Sequence, residues 1–149
     1  MTALVTGSSR NLGAAIALEL AHRGSTVVIT HRASQKEAAN LAGRLHHQTG
    51  RTHPTFYADL SSGSTTKEFL DRYLEEIGPT DILVNNAGPF AMEPFEDLPE
   101  PEWDRIFDSN VKAAHLCAQA LVPGMRQKGR GRVVNLSAGS AYIRNHSIY

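Results

Sequence analysis

The sequence predicts a doubly wound α/β domain, a parallel sheet carrying helices on both faces. Three observations predict it. Short, continuously apolar runs, "LVT", "VVIT", "ILVN" and "VVNL", read as strands buried on both faces. Between them lie stretches whose apolar residues recur at helical spacing. A small-residue turn, "VTGSSRNLG", joins the first strand run to the first helical stretch. Right-handed crossovers convert such an alternation into a three-layer α/β/α domain.

The first strand is expected at residues 3–6, and the helix after it repeats Leu12, Ile16 and Leu20 at four-residue steps. Residues 26–30 give the second strand, and Ala38, Leu41, Ala42 and Leu45 share one face of the second helix. The third strand is expected at 55–58. Pro54 beside it cannot donate to a ladder, which predicts a sheet edge. Phe69, Leu70, Tyr73, Leu74 and Ile77 mark the third helix, and residues 82–85 the fourth strand. The irregular "EPFEDLPEPEW" leads into the longest apolar stripe: Trp103, Ile106, Phe107, Asn110, Val111, Ala114, Ala118, Leu121 and Met125. Pro123 and Gly124 predict a kink or loosening of its last turns. Residues 132–136 form the fifth strand. In the order 3-2-1-4-5 this strand, apolar on both faces, stands at an open edge.

With 149 residues the chain has room for one domain with its own core. Hydrophobic residues at 41% and charged residues at 20% exclude a disordered chain. Fifteen Lys and Arg balance fifteen Asp and Glu, so no net field favours nucleic acid or an anionic membrane. No apolar run approaches the ~20 residues of a membrane span. Met1 leads directly into a strand, without the basic and apolar regions of a signal peptide. The single Cys117 allows no internal disulfide and fits a reducing cytoplasm; on its helix it reads as core packing. The seven histidines lack zinc-ligand spacing, so no metal site is expected, and His46 and His47 are expected to face solvent.

The glycine turn has a physical use. Its backbone N–H groups can approach an anion such as a pyrophosphate at the positive end of the following helix. Gly7 and Gly13 are its fixed points, Ser8 and Ser9 are small hydrogen-bond donors, and Arg10 can reach a phosphate. Many strand-to-helix connections need such a turn merely to pack, so it decides nothing alone.

Further stretches stand in register with it. "ADL" at 58–60, "ILVNNAGPF", "WDRIFDSNV" and "GRVVNLSAGS" follow in that order. Together with "LVTGSSRNLG" they resemble the short-chain dehydrogenase/reductase family over the whole chain, in the branch that includes the 3-oxoacyl-carrier-protein reductases. The resemblance implies a Rossmann fold and an oxidoreductase. It assigns Gly7, Ser9, Arg10, Leu12 and Gly13 to the pyrophosphate and adenosine ribose of a nicotinamide dinucleotide, with Asn11 in the same turn. It assigns Asp59 to the adenine amino group and Leu60 to the ring face. Asn86, Ala87 and Gly88 bring backbone close to the cofactor, and Asn110 stands beside the active site. Plainer roles remain open: a helix cap for Asp59, a turn fixed by Asn85 and Asn86, and a buried polar tie for Asn110.

Two departures from the family pattern matter. Asn11 replaces the middle glycine of the turn, and asparagine tolerates left-handed backbone angles better than most residues. The active-site serine commonly falls three places after the strand asparagine, where this chain has Ala138; Ser137 is the favoured substitute and Ser140 the alternative.

Carbonyl reduction requires a hydride donor, a group that polarises the carbonyl and a proton source. By its resemblance Tyr149 is the proton donor. The family's lysine, four residues later, would fall beyond position 149. The resemblance thus implies that residues 1–149 are the cofactor-binding part of a longer single-domain enzyme, cut after about the fifth strand. The complete protein is then expected to be a homo-oligomer acting on a small carbonyl or alcohol. Alternatives are a nucleotide-binding sensor or regulator without redox activity, and a purely structural domain.

The residues themselves speak on cofactor choice. The second strand ends "VVITHR". A domain that grips the ribose 2′- and 3′-hydroxyls places an acid near this point. Here the position holds His31, then Arg32, and the next acid is Glu37. Arg32 can donate charge-assisted hydrogen bonds to a 2′-phosphate that an acid would repel, and Arg10 can approach from the other side. NADP(H) is expected over NAD(H), the plainer alternative being a solvated Arg32.

Overall fold

Strands β1 (Thr2–Val5), β2 (Thr26–His31), β3 (Thr55–Tyr57), β4 (Ile82–Asn85) and β5 (Arg132–Asn135) form one parallel sheet in the order β3-β2-β1-β4-β5. The structure is a computed structural model and describes residues 1–90 and 93–137. Helices α1 (Asn11–His22), α2 (Gln35–Thr49), α3 (Gly63–Glu76), α4 (Glu100–Phe107) and α5 (Ala113–Gln127) connect the strands. This is a Rossmann sheet in the expected order, with β3 at one edge beside Pro54.

Alternation along the strands divides the core in two. Leu4, Val28, Phe56 and Leu83 join Phe69, Leu70 and Tyr73 of α3 and Cys117 and Leu121 of α5. Ala3, Val5, Val27, Ile29 and Val84 join Ala17 and Ala21 of α1 and Leu41 and Leu45 of α2. Each large apolar side chain so buried contributes roughly 1.5–3 kcal/mol. These two layers hold β1 in register between β2 and β4, with Leu4 opposite both Val28 and Leu83.

Helix details depart from the expected pattern in two places. The buried face of α1 is Gly13, Ala17 and Ala21, whereas Leu12 is 60% exposed and Ile16 and Leu20 are half-buried. Small residues let α1 lie close against the sheet, and the larger side chains flank the contact. The long apolar stripe is interrupted not at Pro123, through which α5 continues, but at Asp108–Lys112, a π turn between α4 and α5. Trp103 and Phe107 of α4 stack on each other just before this turn, Val111 lies within it, and all three are exposed. Among the described residues β5 is the edge opposite β3, and its Val133 and Val134 are 39% and 44% exposed. Among the described residues no helix is long and apolar enough to cross a membrane.

Candidate cofactor cleft

The turn after β1 is pinned from both sides. Gly7, at φ +63°, donates its N–H to Thr30 Oγ1 at 2.8 Å. Ser8 and Thr30 bond reciprocally: the Ser8 N–H donates to the Thr30 carbonyl at 3.1 Å, and the Thr30 N–H to Ser8 Oγ at 2.9 Å. From β4's side, Asn86 Nδ2 donates to the carbonyls of Thr6 and Gly7 at 2.8 and 3.1 Å. Thr6 Oγ1 accepts the N–H groups of Asn86 and Ala87 at 3.0 and 2.9 Å. Asn11 takes φ +51°, a left-handed geometry that asparagine tolerates better than most residues. Backbone this crowded leaves no room for a side chain at Gly13, where a Cβ would stand 2.5 Å from the Gly7 carbonyl oxygen.

The turn delivers the N-terminus of α1 to the carboxyl end of the sheet. Arg10 occupies the cap position in extended geometry, without a side-chain capping bond, and the first turn contains no acid. Its N–H groups and the positive end of the helix dipole are thus arranged for an anion. Arg10, Asn11 and Leu12 are exposed around it, and Ser9 is half-buried. These residues fit a dinucleotide pyrophosphate.

A cleft opens beside the turn, between the ends of β1, β2 and β4. Gly7, His31 and Arg32 line one wall; Ala58, Leu60 and Ser61 line the next; Ala87, Pro89 and Ser109 complete it. Asp59 sits in the loop after β3 and accepts the Ser61 N–H at 3.0 Å. Burial pushes its carboxyl upward, but hydrogen bonds from Ser61 and the charge of Arg32 outweigh this and hold its pKa below the ordinary value. The cap of α3 belongs to Ser62, whose Oγ accepts the Thr65 N–H, so Asp59 is not spent on capping.

Farther along the same face, Asn110 lies in the π turn and donates Nδ2 to the carbonyls of Pro89 and Ile106, both at 2.9 Å. Its Oδ1 closes on Gly88, where any Cβ would overlap it. Asn110 is exposed and thus a surface tie between the π turn and the loop after β4. Asn85 Nδ2 bonds Asn135 Oδ1 at 2.8 Å and joins β4 to β5; Ser137 follows β5 and is exposed. Tyr149, Ser140 and Ala138 lie outside the described residues. Among the described residues no group of three or more His, Cys, Asp or Glu is arranged to hold a metal ion.

A family model described as short chain dehydrogenase matches residues 1–149. The chain belongs to the short-chain dehydrogenase family. Among its relatives, the hydroxynaphthalene reductase-like protein Arp2 of Metarhizium anisopliae is 32% identical over 148 residues, covering 99% of this chain and 55% of that protein. The 3-oxoacyl-[acyl-carrier-protein] reductase FabG of Staphylococcus epidermidis is 32% identical over 137 residues, covering 92% of this chain and 56% of that protein. A metagenomic short-chain oxidoreductase solved in complex with NADP superposes with a TM-score of 0.85 at 33% identity, over 92% of this chain and 61% of the other. A short-chain dehydrogenase from Sphingobium yanoikuyae in complex with NADPH gives 0.87 at 28%, over 99% and 57%. The chain spans a little over half the length of the curated relatives it matches.

The short-chain dehydrogenase fold gathers Gly7, Ser9, Arg10, Asn11, Leu12, Gly13, Asn86 and Ala87 around one turn. Arg32 and Leu60 line the adjoining cleft beside Asp59, while Gly88 and Asn110 pair farther along the face. Sequence reasoning did not single out Thr30 as the residue that pins the turn, nor Ser109 as part of the wall. Thr30 reads in sequence only as one more β-branched strand residue, and its role depends on register.

Proposed function

We propose that this chain forms the cofactor-binding part of an NADP(H)-dependent oxidoreductase that interconverts a small carbonyl compound and an alcohol. The observation that carries the reading is the uncapped, acid-free start of α1, held against the sheet by Thr30 and Asn86 and flanked by Arg32 rather than a carboxylate. The two NADP-bound structures of similar chains support it.

When bound, the nicotinamide supplies or accepts the hydride. The N–H groups at the start of α1, with Ser9 and Arg10, hold the pyrophosphate, and the missing side chains of Gly7 and Gly13 let the turn pack tightly against Ala87 and Asn86. Arg32 takes the ribose 2′-phosphate, Asp59 accepts from the adenine amino group, and Leu60 lies against the ring. Asn86, Ala87 and Gly88 border the nicotinamide half. Ser137 orients the substrate carbonyl, Tyr149 delivers the proton to its oxygen, and Asn110 fixes the loop beside them. A tyrosine hydroxyl has an ordinary pKa of about 10, so proton transfer at neutral pH calls for a neighbouring cation. The complete protein acts as a homo-oligomer in the cytoplasm.

Titration of the full chain with NADPH, followed by the cofactor's fluorescence, tests the reading. Saturable binding with NADH as a weak competitor is expected; a folded protein that leaves NADPH fluorescence unchanged overturns it.

A further inference from the structure

The connection from α2 to β3 meets the sheet through one buried side chain. α2 ends at Gly50, where φ +68° turns the chain and the N–H closes on the His46 carbonyl at 2.8 Å. Gly50, Arg51 and Thr52 then run through solvent. Over residues 46–55 the one buried side chain is His53, at 3% exposure.

Its imidazole stands in for a strand. β3 begins at Thr55, opposite Ile29, so it does not reach Val27 near the start of β2. There the Val27 N–H donates to His53 Nδ1 at 3.0 Å, and the Ile29 N–H, two residues on, takes the Pro54 carbonyl at 2.8 Å. On its other side the ring meets Thr49 Oγ1 through Nε2 at 3.1 Å, and Thr49 passes the chain on to the Leu45 carbonyl at 2.7 Å. Nδ1 therefore accepts, Nε2 donates, and one neutral ring joins β2 to the last turn of α2. A second proton could enter only at Nδ1, where it would point at the Val27 N–H. Two buried donors would then face each other, and the amide would lose its acceptor. Burial lowers the pKa of the ring, and Arg51 on the connection and His46 on α2 add positive charge in the same direction. From β2 the ring faces a neutral amide.

We infer that His53 is an acid-released latch: its protonation frees the connection from Gly50 to Pro54, with the last turn of α2, while the rest of the sheet stays folded. Two features confine the opening. At Gly50 a side chain would meet nothing within 4 Å, so the chain has room to pivot there. Beyond the latch Phe56 is 7% exposed and packs edge-on against Phe69 and Tyr73, at 6.4 and 5.9 Å between centroids, which anchors β3. The strands are parallel, and the latch lies towards the amino end of β2, away from the cleft at the carboxyl ends. Acid thus bares the start of β2 and leaves the cleft assembled. Such an opening has its own free energy, smaller than that of global unfolding.

Hydrogen exchange of the full chain tests this, followed by NMR from pH 7.5 to 5 and corrected for the intrinsic pH dependence of amide exchange. Protection of the Val27 amide is expected to fall below about pH 6.5, by at most about tenfold per pH unit. At every pH Val27 should exchange faster than the amides of β1 and β4. Low urea should accelerate β1 and β4 and leave Val27 nearly unchanged, because a local opening exposes little surface. A Val27 amide with the same urea response as β1 opens only with the whole sheet, which overturns the inference. Val27 protection that ignores pH overturns it as well. His53→Gln keeps an acceptor for the Val27 N–H that does not titrate, and should flatten the pH response; a variant that retains the parent's response assigns it to another group. If glutamine is not accommodated, the ring resonances of His53 in the parent decide instead. A midpoint below the ordinary value of about 6.5 is expected, and one at or above it removes the latch.

Discussion

Asn86 closes over Gly13: a Cβ on Gly13 would lie 2.6 Å from Asn86 Nδ2. That amide cannot retreat cheaply, because it already donates to the carbonyls of Thr6 and Gly7. The contact ties the first helix to the loop after β4 and makes the turn a rigid wall.

Gly13→Val is therefore expected to cost about 1–3 kcal/mol or more through overpacking and to weaken NADPH binding in whatever fraction stays folded. Thermal denaturation read together with an NADPH titration separates the two effects. Unchanged affinity in a folded variant would remove the turn from the cofactor site.

Arg32→Asp is expected to erase or reverse a preference for NADPH over NADH. A charge-assisted hydrogen bond contributes roughly 1.5–3 kcal/mol, so its loss corresponds to about tenfold or more in affinity. Competition titrations at fixed ionic strength decide it, and an indifferent variant would make Arg32 a solvated loop residue.

In the complete enzyme Tyr149→Phe is expected to reduce turnover by about 10²–10⁴-fold, the usual worth of a general acid, with NADPH affinity nearly intact. Ser137→Ala should lower turnover as well. If Ser140→Ala is damaging and Ser137→Ala is silent, the carbonyl-orienting role belongs to Ser140.

His53 gives the fold a dependence on pH. It is buried, its Nδ1 accepts the Val27 N–H at 3.0 Å, and Nε2 meets Thr49 Oγ1 at 3.1 Å. Thr49 already donates to the Leu45 carbonyl, so Nε2 carries the proton and the ring is neutral. Burial lowers its pKa from the ordinary histidine value, and the charges of Arg51 and His46 act in the same direction. A depressed histidine leaves the unfolded chain binding more protons, so stability is fully present above the ordinary value of about 6.5 and falls as pH drops towards the folded one. Melting temperature should decline from pH 7.5 to 5 in the parent, about flat at the alkaline end, and a His53→Asn variant should show a shallower slope. Equal slopes would refute this assignment.

Much of this was legible in the sequence, for identifiable reasons. Strands such as Ile82–Asn85 are buried on both faces, so their apolar runs stand out, and Pro54 marks the edge without ambiguity. The face of α1 was not legible, because hydrophobic spacing weighs Leu12, Ile16 and Leu20 above the small Gly13, Ala17 and Ala21 that meet the sheet. Nor was the π turn at Asp108–Lys112, since such a turn needs no particular residue, whereas Pro123 draws attention and yet sits inside α5. In the cleft, the glycines and Arg32 carry their chemistry in their identity. Thr30 acquires its role only from what the sheet places opposite it.

The ladder between Leu4 and Leu83 also has a consequence for how the molecule is made. β1 is synthesised before β2 and β4 and stands between them in the sheet. A chain leaving the ribosome can zip β1 to β2 early, across a short crossover. The other side of β1 must wait until β4 has emerged, and closing so long a loop is slow. During that interval the inner flank of β1 is a bare row of backbone donors and acceptors, available to chaperones and to the β4 of neighbouring nascent chains.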